Sequence, residues 1–406
     1  MNPIKYLKKN VASYKWPKIV DYSYKIDAVI RKAILVLSNS KLKNIIVIES
    51  HNDFDSNGGA FYRYLIENGY NKKFKIVWLI KNSKPKELPP NVTCYPLYKP
   101  SIKKDYAICK AKFFTADCVV TGKVRDGQKS YYLTHGAFAL KNSKGKIDIP
   151  NCVDYILIPS EFTRKMQEIQ FNPQPPTKLI SIGFPIHDQL LKSCTPQLYK
   201  MGLETSQKKT IVWMPTFRKG GGYQRNDSRV ELPLGIPLVE STKQLDELNQ
   251  ILKENNGILI IKIHPMQDMS TVHIEEQSNI RLLTGSKSKE LGIDNYELLK
   301  ETDAMISDYS SVAYDYLFLD KPLGYIFSDL NEYKNGLAVK NPSEWMAGPM
   351  INNFEELRKF IEEVLNGIDN YESRRVWLRK KIFEYDDGGA CRRLVDHMGL
   401  NSESVS

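Results

Sequence analysis

The segment AMISDYSSVAYDYLFLDKP, at residues 304–322, runs from a short apolar stretch through a polar turn into an amphipathic stretch. We expect a buried β-strand over Ala304–Ser307 and a helix over Val312–Leu319. A strand that leads through a short turn into a helix is the repeating unit of a parallel α/β sheet. The same alternation is therefore expected elsewhere in the chain.

The alternation recurs on both sides of a polar stretch, Thr195–Lys209. Before it, the pattern predicts strands at 44–49, 74–80, 118–121, 131–134, 155–158 and 179–182, and helices at 60–67, 101–112 and 161–169. After it, the pattern predicts strands at 210–214, 258–263, 304–307 and 323–327, and helices at 245–255, 296–302, 312–319, 354–365, 371–385 and 389–398. The two series of alternating strands and helices predict an α/β protein with two Rossmann-like domains facing a shared cleft. The predicted parts are an arm at 1–43, an N-terminal domain at 44–200, a C-terminal domain at 201–370, and helices at 371–406 that close the second domain or cross back to the first.

Composition limits the class of protein. The chain has 406 residues, 42% of them hydrophobic, and six scattered cysteines without a C-x-x-C pair. This excludes a disordered chain and disfavours a disulfide or zinc scaffold, and it favours a reducing compartment. No apolar run approaches the length of a membrane span, and no signal peptide is evident. We expect a soluble protein that stays inside the cell.

Positive charge is concentrated at the N-terminus. Residues 1–43 contain ten Lys or Arg and two acids, and thus +8 of the net charge of +11. Five aromatic residues are interleaved with them: Tyr6, Tyr14, Trp16, Tyr22 and Tyr24. This pattern fits an amphipathic arm on an anionic membrane surface, and equally a solvated arm that packs on the domain behind it. No nucleic-acid recognition motif is present, so we expect no nucleic-acid partner.

Polar residues follow the predicted strands of the C-terminal half, where parallel α/β sheets bind ligands. Ser310 and Ser311 begin a helix and favour a phosphate, Arg218 could hold phosphate oxygens in a fork, and His264 could stabilise a leaving phosphate. Asp315 could accept hydrogen bonds from sugar or polyol hydroxyls. Each also has a purely structural interpretation, as a helix cap, a surface charge or a loop residue. Thr216 and Asp308 complete the set of strand-end residues.

In the N-terminal half, His135-Gly136 follows the strand predicted at 131–134. A strand-end histidine could act as general base towards a hydroxyl, and the glycine lets the backbone approach a ligand closely. The alternative is a structural histidine anchored to the backbone. The contexts of His51, His187, His273 and His397 are weaker.

Several motifs are absent from the sequence. It contains neither a P-loop nor a G-x-G-x-x-G fingerprint, and no Asp-x-Asp pair is placed to hold a metal. We therefore expect a transferase without a tightly bound cofactor or a required divalent metal.

The motif Ile306-Ser307-Asp308-Tyr309-Ser310-Ser311-Val312, with Asp315-Tyr316 and Asp320-Lys321-Pro322, resembles the signature of CDP-glycerol glycerophosphotransferases, the teichoic acid primases and polymerases. Further blocks match in the right order: Asp55-Ser56-Asn57, His135-Gly136, Pro215-Thr216-Phe217-Arg218, His264-Pro265 and Asp387-Gly388-Gly389-Ala390-Cys391-Arg392-Arg393.

The resemblance implies a GT-B fold with an acceptor domain and a donor domain. It implies transfer of an alditol phosphate from CDP-glycerol or CDP-ribitol to a lipid-linked or polymeric glycan, with release of CMP. The expected catalytic residues are His135 and His264. The expected donor contacts are Arg218, Ser310, Ser311, Asp315, Thr216 and Asp308, and the expected acceptor contacts are Asp55, Asn57, Gly136 and Lys141. The resemblance also implies attachment to the inner face of a bacterial cell membrane, here through residues 1–43.

The sequence departs from the family pattern in the acceptor domain. Thr134 stands where the family often has Trp, and Ile186 stands where the family has Arg. We expect a capsule or another surface glycan as acceptor instead of a standard wall teichoic acid. Two other functions remain open: a GT-B nucleotide-sugar glycosyltransferase, and a non-catalytic scaffold that binds membrane or polyanion.

Overall fold

The structure is a computed structural model that describes residues 18–38, 41–82, 84–118, 121–145, 149–204, 208–220, 226–228 and 230–402. Its described residues form two compact units. Unit 1 comprises those within 1–137, 144–189 and 383–406, and unit 2 comprises those within 138–143 and 190–382. The C-terminal segment thus belongs to unit 1.

Unit 1 is built around a parallel sheet of seven described strands in the order β3-β2-β1-β4-β5-β6-β7. The strands are β1 Lys43–Glu49, β2 Lys75–Ile80, β3 Val92–Pro96, β4 Ala111–Ala116, β5 Lys129–Tyr132, β6 Tyr155–Leu157 and β7 Lys178–Ile180. Residues Ile45–Ile48 and Ile76–Ile80 are buried throughout. Continuous burial is the mark of a strand covered on both faces of the sheet.

The helices of unit 1 are α1 Lys18–Leu37, α2 Ser56–Glu67, α3 Ile102–Lys110, α4 Arg164–Phe171, α5 Pro185–Leu190 and, near the C-terminus, α12 Ala390–Met398. Ser101 caps α3 by accepting a hydrogen bond from the backbone N–H of Lys104. The last turn of α5 reaches Leu190, the first residue of the adjoining segment of unit 2.

Unit 2 contains a parallel sheet of six described strands in the order β10-β9-β8-β11-β12-β13. The strands are β8 Lys209–Trp213, β9 Gly257–Lys262, β10 Ile280–Leu283, β11 Ala304–Ser307, β12 Leu323–Ile326 and β13 Met350–Ile351. Its helices are α6 Thr242–Glu254, α7 Gly285–Glu290, α8 Asn295–Glu301, α9 Val312–Asp315, α10 Phe354–Leu365 and α11 Glu372–Ile382. The apolar faces of α6 and α10 pack on buried residues of β8 and β9 in one core.

Most predicted elements are confirmed, with one clear error. The sequence predicts a helix through Lys112 and a strand at 118–121, whereas α3 ends at Lys110 and β4 begins at Ala111. Phe113 and Phe114 are buried in β4, which pairs with β1 and β5. No turn residue separates α3 from β4, so the two merge in the sequence pattern; residues 119 and 120 lie outside the described residues. The strands β3, β10 and β13 were not predicted.

The N-terminal arm is described from Lys18 onward, and the expectations for residues 1–17 and 39–40 lie outside the described residues. Helix α1 packs against α3, and buried Asp27 accepts a hydrogen bond from Lys104 Nζ at 2.6 Å. Arg31 Nε donates to Asp105 at 2.7 Å. This part of the arm therefore packs on unit 1. Within the described part of the chain, no helix combines the length and the apolar character needed to cross a membrane.

Candidate active site

The carboxyl ends of the unit 2 strands bring most of the predicted donor residues to one edge of the sheet. Thr216 and Arg218 follow β8, His264 follows β9, and Asp308, Ser310 and Ser311 follow β11. The three strands are adjacent in the order β9-β8-β11. These residues therefore share the carboxyl edge of the unit 2 sheet, and their roles stay predictions.

Arg218 is the centre of a buried polar cluster. Its Nε and Nη2 donate to Asp329 at 2.8 and 3.0 Å, and its Nη1 donates to Asp308 at 2.7 Å. Nη1 also donates to the carbonyl of Thr216 at 2.7 Å. Arg218 and both carboxylates are at most 3% exposed. The guanidinium fork that the sequence suggested for phosphate is thus already occupied by carboxylates.

The electrostatics of this cluster keep its charges fixed. Burial alone would lower the pKa of Arg218, but Asp308 and Asp329 raise it above its usual value. Burial alone would raise the pKa of Asp329, but Arg218 holds it below its usual value. Tyr309 donates to Asp329 at 2.7 Å and stacks on Tyr333. A buried cluster of one guanidinium and two carboxylates is costly to disturb, because removal of Arg218 leaves both carboxylates without a counter-charge.

Asp308 and Thr216 connect two strand ends. The backbone N–H of Thr216 donates to Asp308 Oδ2 at 2.9 Å, and the Thr216 hydroxyl donates to Oδ1. Both residues are buried. Their side chains therefore fix the turn after β8 relative to the turn after β11.

Ser310 and Ser311 lie at the start of a helical segment, and both are half-buried. Helix α9 begins after Ser311, whose side chain makes no capping hydrogen bond, and it continues as a 3-10 turn over Tyr316–Leu319. Within the described residues, neither hydroxyl has a hydrogen-bond partner. The interpretation of these serines as helix caps is thus not supported, and both hydroxyls can donate to a ligand together with first-turn N–H groups.

His264 has a defined tautomer. Its Nδ1 accepts a hydrogen bond from the backbone N–H of Met266 at 3.1 Å, and its ring packs on Phe217 at 5.0 Å between centroids. Because Nδ1 acts as acceptor, the ring proton of neutral His264 is on Nε2. Nε2 is therefore the hydrogen-bond donor of the neutral ring.

Asp315 is the last residue of α9. It is fully buried, and its Oδ2 accepts a hydrogen bond from the Tyr296 hydroxyl at 3.2 Å. Full burial leaves it no surface for the polyol contact that the sequence suggested.

A pocket of about 510 Å³ opens beside Arg218 in unit 2. Lys219, Lys334 and His273 line it together with Gln267, whose Oε1 accepts from the backbone N–H of Arg218 at 3.1 Å. Glu231 also lines the pocket, and Lys219 and Lys334 together give its described lining an excess of positive charge, which favours an anionic ligand.

In unit 1, His135 follows β5 and is exposed at the sheet edge. Asn57 fixes the segment before it: Nδ2 donates to the carbonyls of Leu133 and Thr134 at 3.1 and 3.0 Å, and Oδ1 accepts from the backbone N–H of Ile186 at 3.0 Å. Thr134 has a φ of 61° and Gly136 a φ of 100°, so the chain turns sharply on both sides of His135. Asn57 is 2% exposed and braces this turn.

The other two predicted acceptor residues lie elsewhere. Asp55 caps α2 by accepting from the backbone N–H of Ser56 at 2.6 Å. Lys141 belongs to unit 2, where it forms an isolated antiparallel bridge with Leu337.

Beside His135 lies a set of titratable residues that sequence reasoning missed. Glu49, His51, Lys81, Asp117 and Cys118 all end or follow β1, β2 or β4. The His51 and His135 rings lie 4.1 Å apart between centroids. Like Asp329 after β12, these residues lie at the carboxyl ends of parallel strands, where α/β sheets bind ligands. An inspection of every strand end in the sequence would have found them.

Within the described ranges, no group of three or more His, Cys, Asp or Glu side chains could hold a metal ion. The expectation that no metal is required stays a prediction.

The family model for CDP-glycerol:poly(glycerophosphate) glycerophosphotransferases matches residues 32–399. A teichoic acid glycerol-phosphate transferase of Staphylococcus aureus is 22% identical over 395 residues, 88% of this chain and 94% of that protein. A teichoic acid ribitol-phosphate primase of Bacillus spizizenii is 26% identical over 225 residues, 54% of this chain and 52% of that protein. The chain thus spans about half the length of that primase, and less of some other relatives.

Among solved structures, that of the wall teichoic acid polymerase TagF is similar at a TM-score of 0.70 and 18% identity, over 98% of each chain. At this identity the likeness shows the fold alone. It confirms the predicted α/β class of two parallel sheets with helices, and the family match confirms the predicted resemblance over most of the sequence. The chain belongs to the CDP-glycerol:poly(glycerophosphate) glycerophosphotransferase family.

Proposed function

We propose that this chain transfers an alditol phosphate from a CDP-alcohol to a hydroxyl of a teichoic-acid-like acceptor and releases CMP. One observation carries the proposal beyond the family match. The hydroxyls of Ser310 and Ser311 and the Nε2–H of His264 are hydrogen-bond donors at the ends of β11 and β9, on either side of β8. Donors at one sheet edge suit a diphosphate, whose oxygens accept hydrogen bonds.

The reaction we propose is an in-line displacement. The acceptor oxygen attacks the phosphorus that carries the alditol, and the bond from this phosphorus to the bridging oxygen breaks. CMP leaves with that electron pair, and the proton of the acceptor hydroxyl passes to His135 as general base. His264 Nε2 and the two serines stabilise the negative charge that develops on the CMP phosphate.

Arg218 takes a different part from the one its sequence context suggests. Its donors face Asp308, Asp329 and the Thr216 carbonyl. We assign it, with Thr216 and Asp308, a positioning role: the cluster fixes the turns after β8 and β11. We also assign a structural role to Asp315, which ends α9 and accepts a hydrogen bond from Tyr296 of α8. The pocket lined by Lys219 and Lys334 is the proposed place for an anionic part of the substrates.

Glycerol phosphate is the favoured group for transfer. The family description names glycerophosphate, and the relative that this chain matches over 94% of its length is a glycerol-phosphate transferase. Ribitol phosphate is the second candidate, since another relative is a ribitol-phosphate primase.

The departures from the family sequence pattern, at Thr134 and Ile186, both lie in unit 1, the proposed acceptor domain. Thr134 and Ile186, the two departing residues, both hydrogen-bond through their backbones to the side chain of Asn57. Both changes thus converge on the brace beside His135. This supports an acceptor other than a standard wall teichoic acid, with a capsular glycan as the proposed alternative.

We also propose that α1 and α3 rest on an anionic membrane surface. Four large apolar side chains on these mutually packed helices are well exposed: Val29 70%, Val36 75%, Leu37 85% and Ile102 69%. Lys25, Lys32 and Lys103 lie on the same helices and are exposed. Sedimentation with phosphatidylglycerol vesicles, but not with phosphatidylcholine vesicles, is expected, and Val36→Asp with Leu37→Asp should weaken it.

A donor panel tests the proposed reaction. The full chain is incubated with CDP-glycerol, CDP-ribitol and a UDP-sugar in the presence of candidate glycan acceptors, and the products are weighed by mass spectrometry. The proposal expects a mass increase of one or more alditol phosphate units together with CMP. Incorporation of a sugar without phosphate would support a glycosyltransferase instead, and no incorporation with intact vesicle binding would support a scaffold.

A further inference from the structure

Four adjacent strands of unit 1, in the order β2-β1-β4-β5, end in side chains that titrate. Lys81 follows β2, Glu49 ends β1 and His51 follows it, Asp117 and Cys118 follow β4, and His135 follows β5. Glu49 and Asp117 are fully buried, whereas His135 is exposed. The exposed histidine is thus backed by a set of fixed residues.

His51 is held from several directions. Its backbone N–H donates to Asp117 Oδ1 at 2.6 Å, and its carbonyl accepts from Lys81 Nζ at 3.2 Å. Its Nδ1 lies 3.3 Å from Cys118 Sγ. Asp117 Oδ2 also accepts from the backbone N–H of Gly58 at 2.9 Å, which ties His51 to the first turn of α2. The backbone of His51 is therefore held on two sides, and Cys118 contacts its ring.

The His51 ring lies against the ring of His135, with centroids 4.1 Å apart and planes inclined by 35°. Asn57 braces the backbone of the turn that carries His135. Ring contact with His51 restricts the side-chain torsions of His135.

We propose that His51 is a positioning residue for His135: its ring, in contact with Cys118 and carried on a backbone that Asp117 and Lys81 anchor, holds the His135 imidazole in one orientation. As a positioning role for a catalytic base, the inference rests on the proposed function. The physical contact that it describes does not depend on that function.

His51 is neutral at neutral pH. Burial, with a smaller effect of Lys81, lowers the pKa of His51 to about 4. Burial raises the pKa of Cys118 to about 12, so Cys118 is a thiol at neutral pH. Among the described residues, the titratable groups other than His135 that contact His51 are Lys81, Asp117 and Cys118, and those that interact with Lys81 or Glu49 behind them are Tyr24, Asp53 and Tyr98. A neutral His51 places no positive charge beside His135 when that ring accepts a proton.

Three substitutions at His51 separate these effects. His51→Phe keeps a flat ring, His51→Ala removes it, and His51→Lys introduces a positive charge. His397→Phe is the matched control, because His397 is also a partly buried histidine of unit 1 packed on tyrosines and has no assigned role. Thermal unfolding of each variant verifies that it is folded.

Two readouts are used. The first is kcat, KM for CDP-glycerol and the pH profile of kcat. The second is an NMR titration of the His135 imidazole, assigned with His135→Ala and requiring no substrate. We expect His51→Ala to lower kcat about tenfold at nearly constant KM, and His51→Phe to restore most of the loss. We expect His51→Lys to move the His135 titration, and the acid limb of the pH profile, about one unit towards lower pH.

The outcomes distinguish this inference from the proposed function. Folded His51→Ala and His51→Lys variants with wild-type His135 titration and wild-type kcat would overturn it. If the wild-type chain transfers no alditol phosphate, the proposed function fails, and the NMR titration still decides: a shift in His51→Lys supports the contact between the rings, and no shift overturns it.

Discussion

Arg218 and Asp329 are joined by two hydrogen bonds, Nε to Oδ2 at 2.8 Å and Nη2 to Oδ1 at 3.0 Å, although they lie 111 positions apart in the sequence. The pair is buried and shares Arg218 with Asp308. An arginine that engages two carboxylates in this way stabilises the site more than it binds a ligand. Its loss should therefore first appear as loss of stability.

Substitution Arg218→Ala should destabilise the protein by about 3–5 kcal/mol, because it leaves two buried carboxylates without their counter-charge. Urea unfolding measures this change. Arg358→Ala is the matched control: Arg358 forms partly exposed ion pairs with Glu247 and Glu355 in the same unit, and its loss should cost about 1 kcal/mol or less. Equal effects of the two substitutions would contradict the positioning role of Arg218.

Substitution His264→Ala should lower kcat by about 10²-fold with little change in stability, because it removes the Nε2 donor that we propose for the leaving phosphate. His264→Gln places an amide N–H near the position of Nε2 and should recover part of the activity. Steady-state kinetics with CDP-glycerol measures both variants. Wild-type turnover in folded His264→Ala would remove this residue from the mechanism.

Substitution Asn57→Ala should reduce both stability and turnover. Three backbone groups lose their buried partner, which costs about 1–3 kcal/mol, and the turn that carries His135 loses its brace. Asn68→Ala, which removes an exposed side chain at the end of α2, is the control and should cost less than about 1 kcal/mol. Asn57→Ala with unchanged kcat would show that the position of His135 does not depend on this brace.

The low pKa of His51 predicts a dependence of stability on pH. Between pH 6.5 and 4 the unfolded chain binds a proton at His51 that the folded chain does not, so this contribution is lost as the pH falls. From pH 7 to pH 5 the loss is about 2 kcal/mol. Urea unfolding of wild type and His51→Phe at the two pH values measures it: the wild type should lose more stability than the variant. Parallel losses would contradict the assigned pKa.

The sequence predicts the sheets well, because continuous apolar runs such as Ile45–Ile48 and Ile258–Ile261 bury strands on both faces. It fails where that signal is weak or shifted. The edge strand β3 is only half-buried, and Ala111–Ala116 follows α3 without a turn residue. Strand-end logic also locates Arg218, His264 and Ser310 at one sheet edge. It does not reveal that Arg218 is occupied by Asp329 or that Asp315 is fully buried, because these facts depend on contacts between distant segments.

The central claim is that the acceptor oxygen attacks the phosphorus bearing the alditol. The most direct measurement uses CDP-glycerol labelled with ³²P at one phosphorus at a time, followed by separation of polymer and CMP. We predict that label at the glycerol-bearing phosphorus enters the polymer and that label at the cytidine-bearing phosphorus leaves as CMP. Label from neither phosphorus in the polymer, or label from the cytidine-bearing phosphorus in it, would contradict the claim.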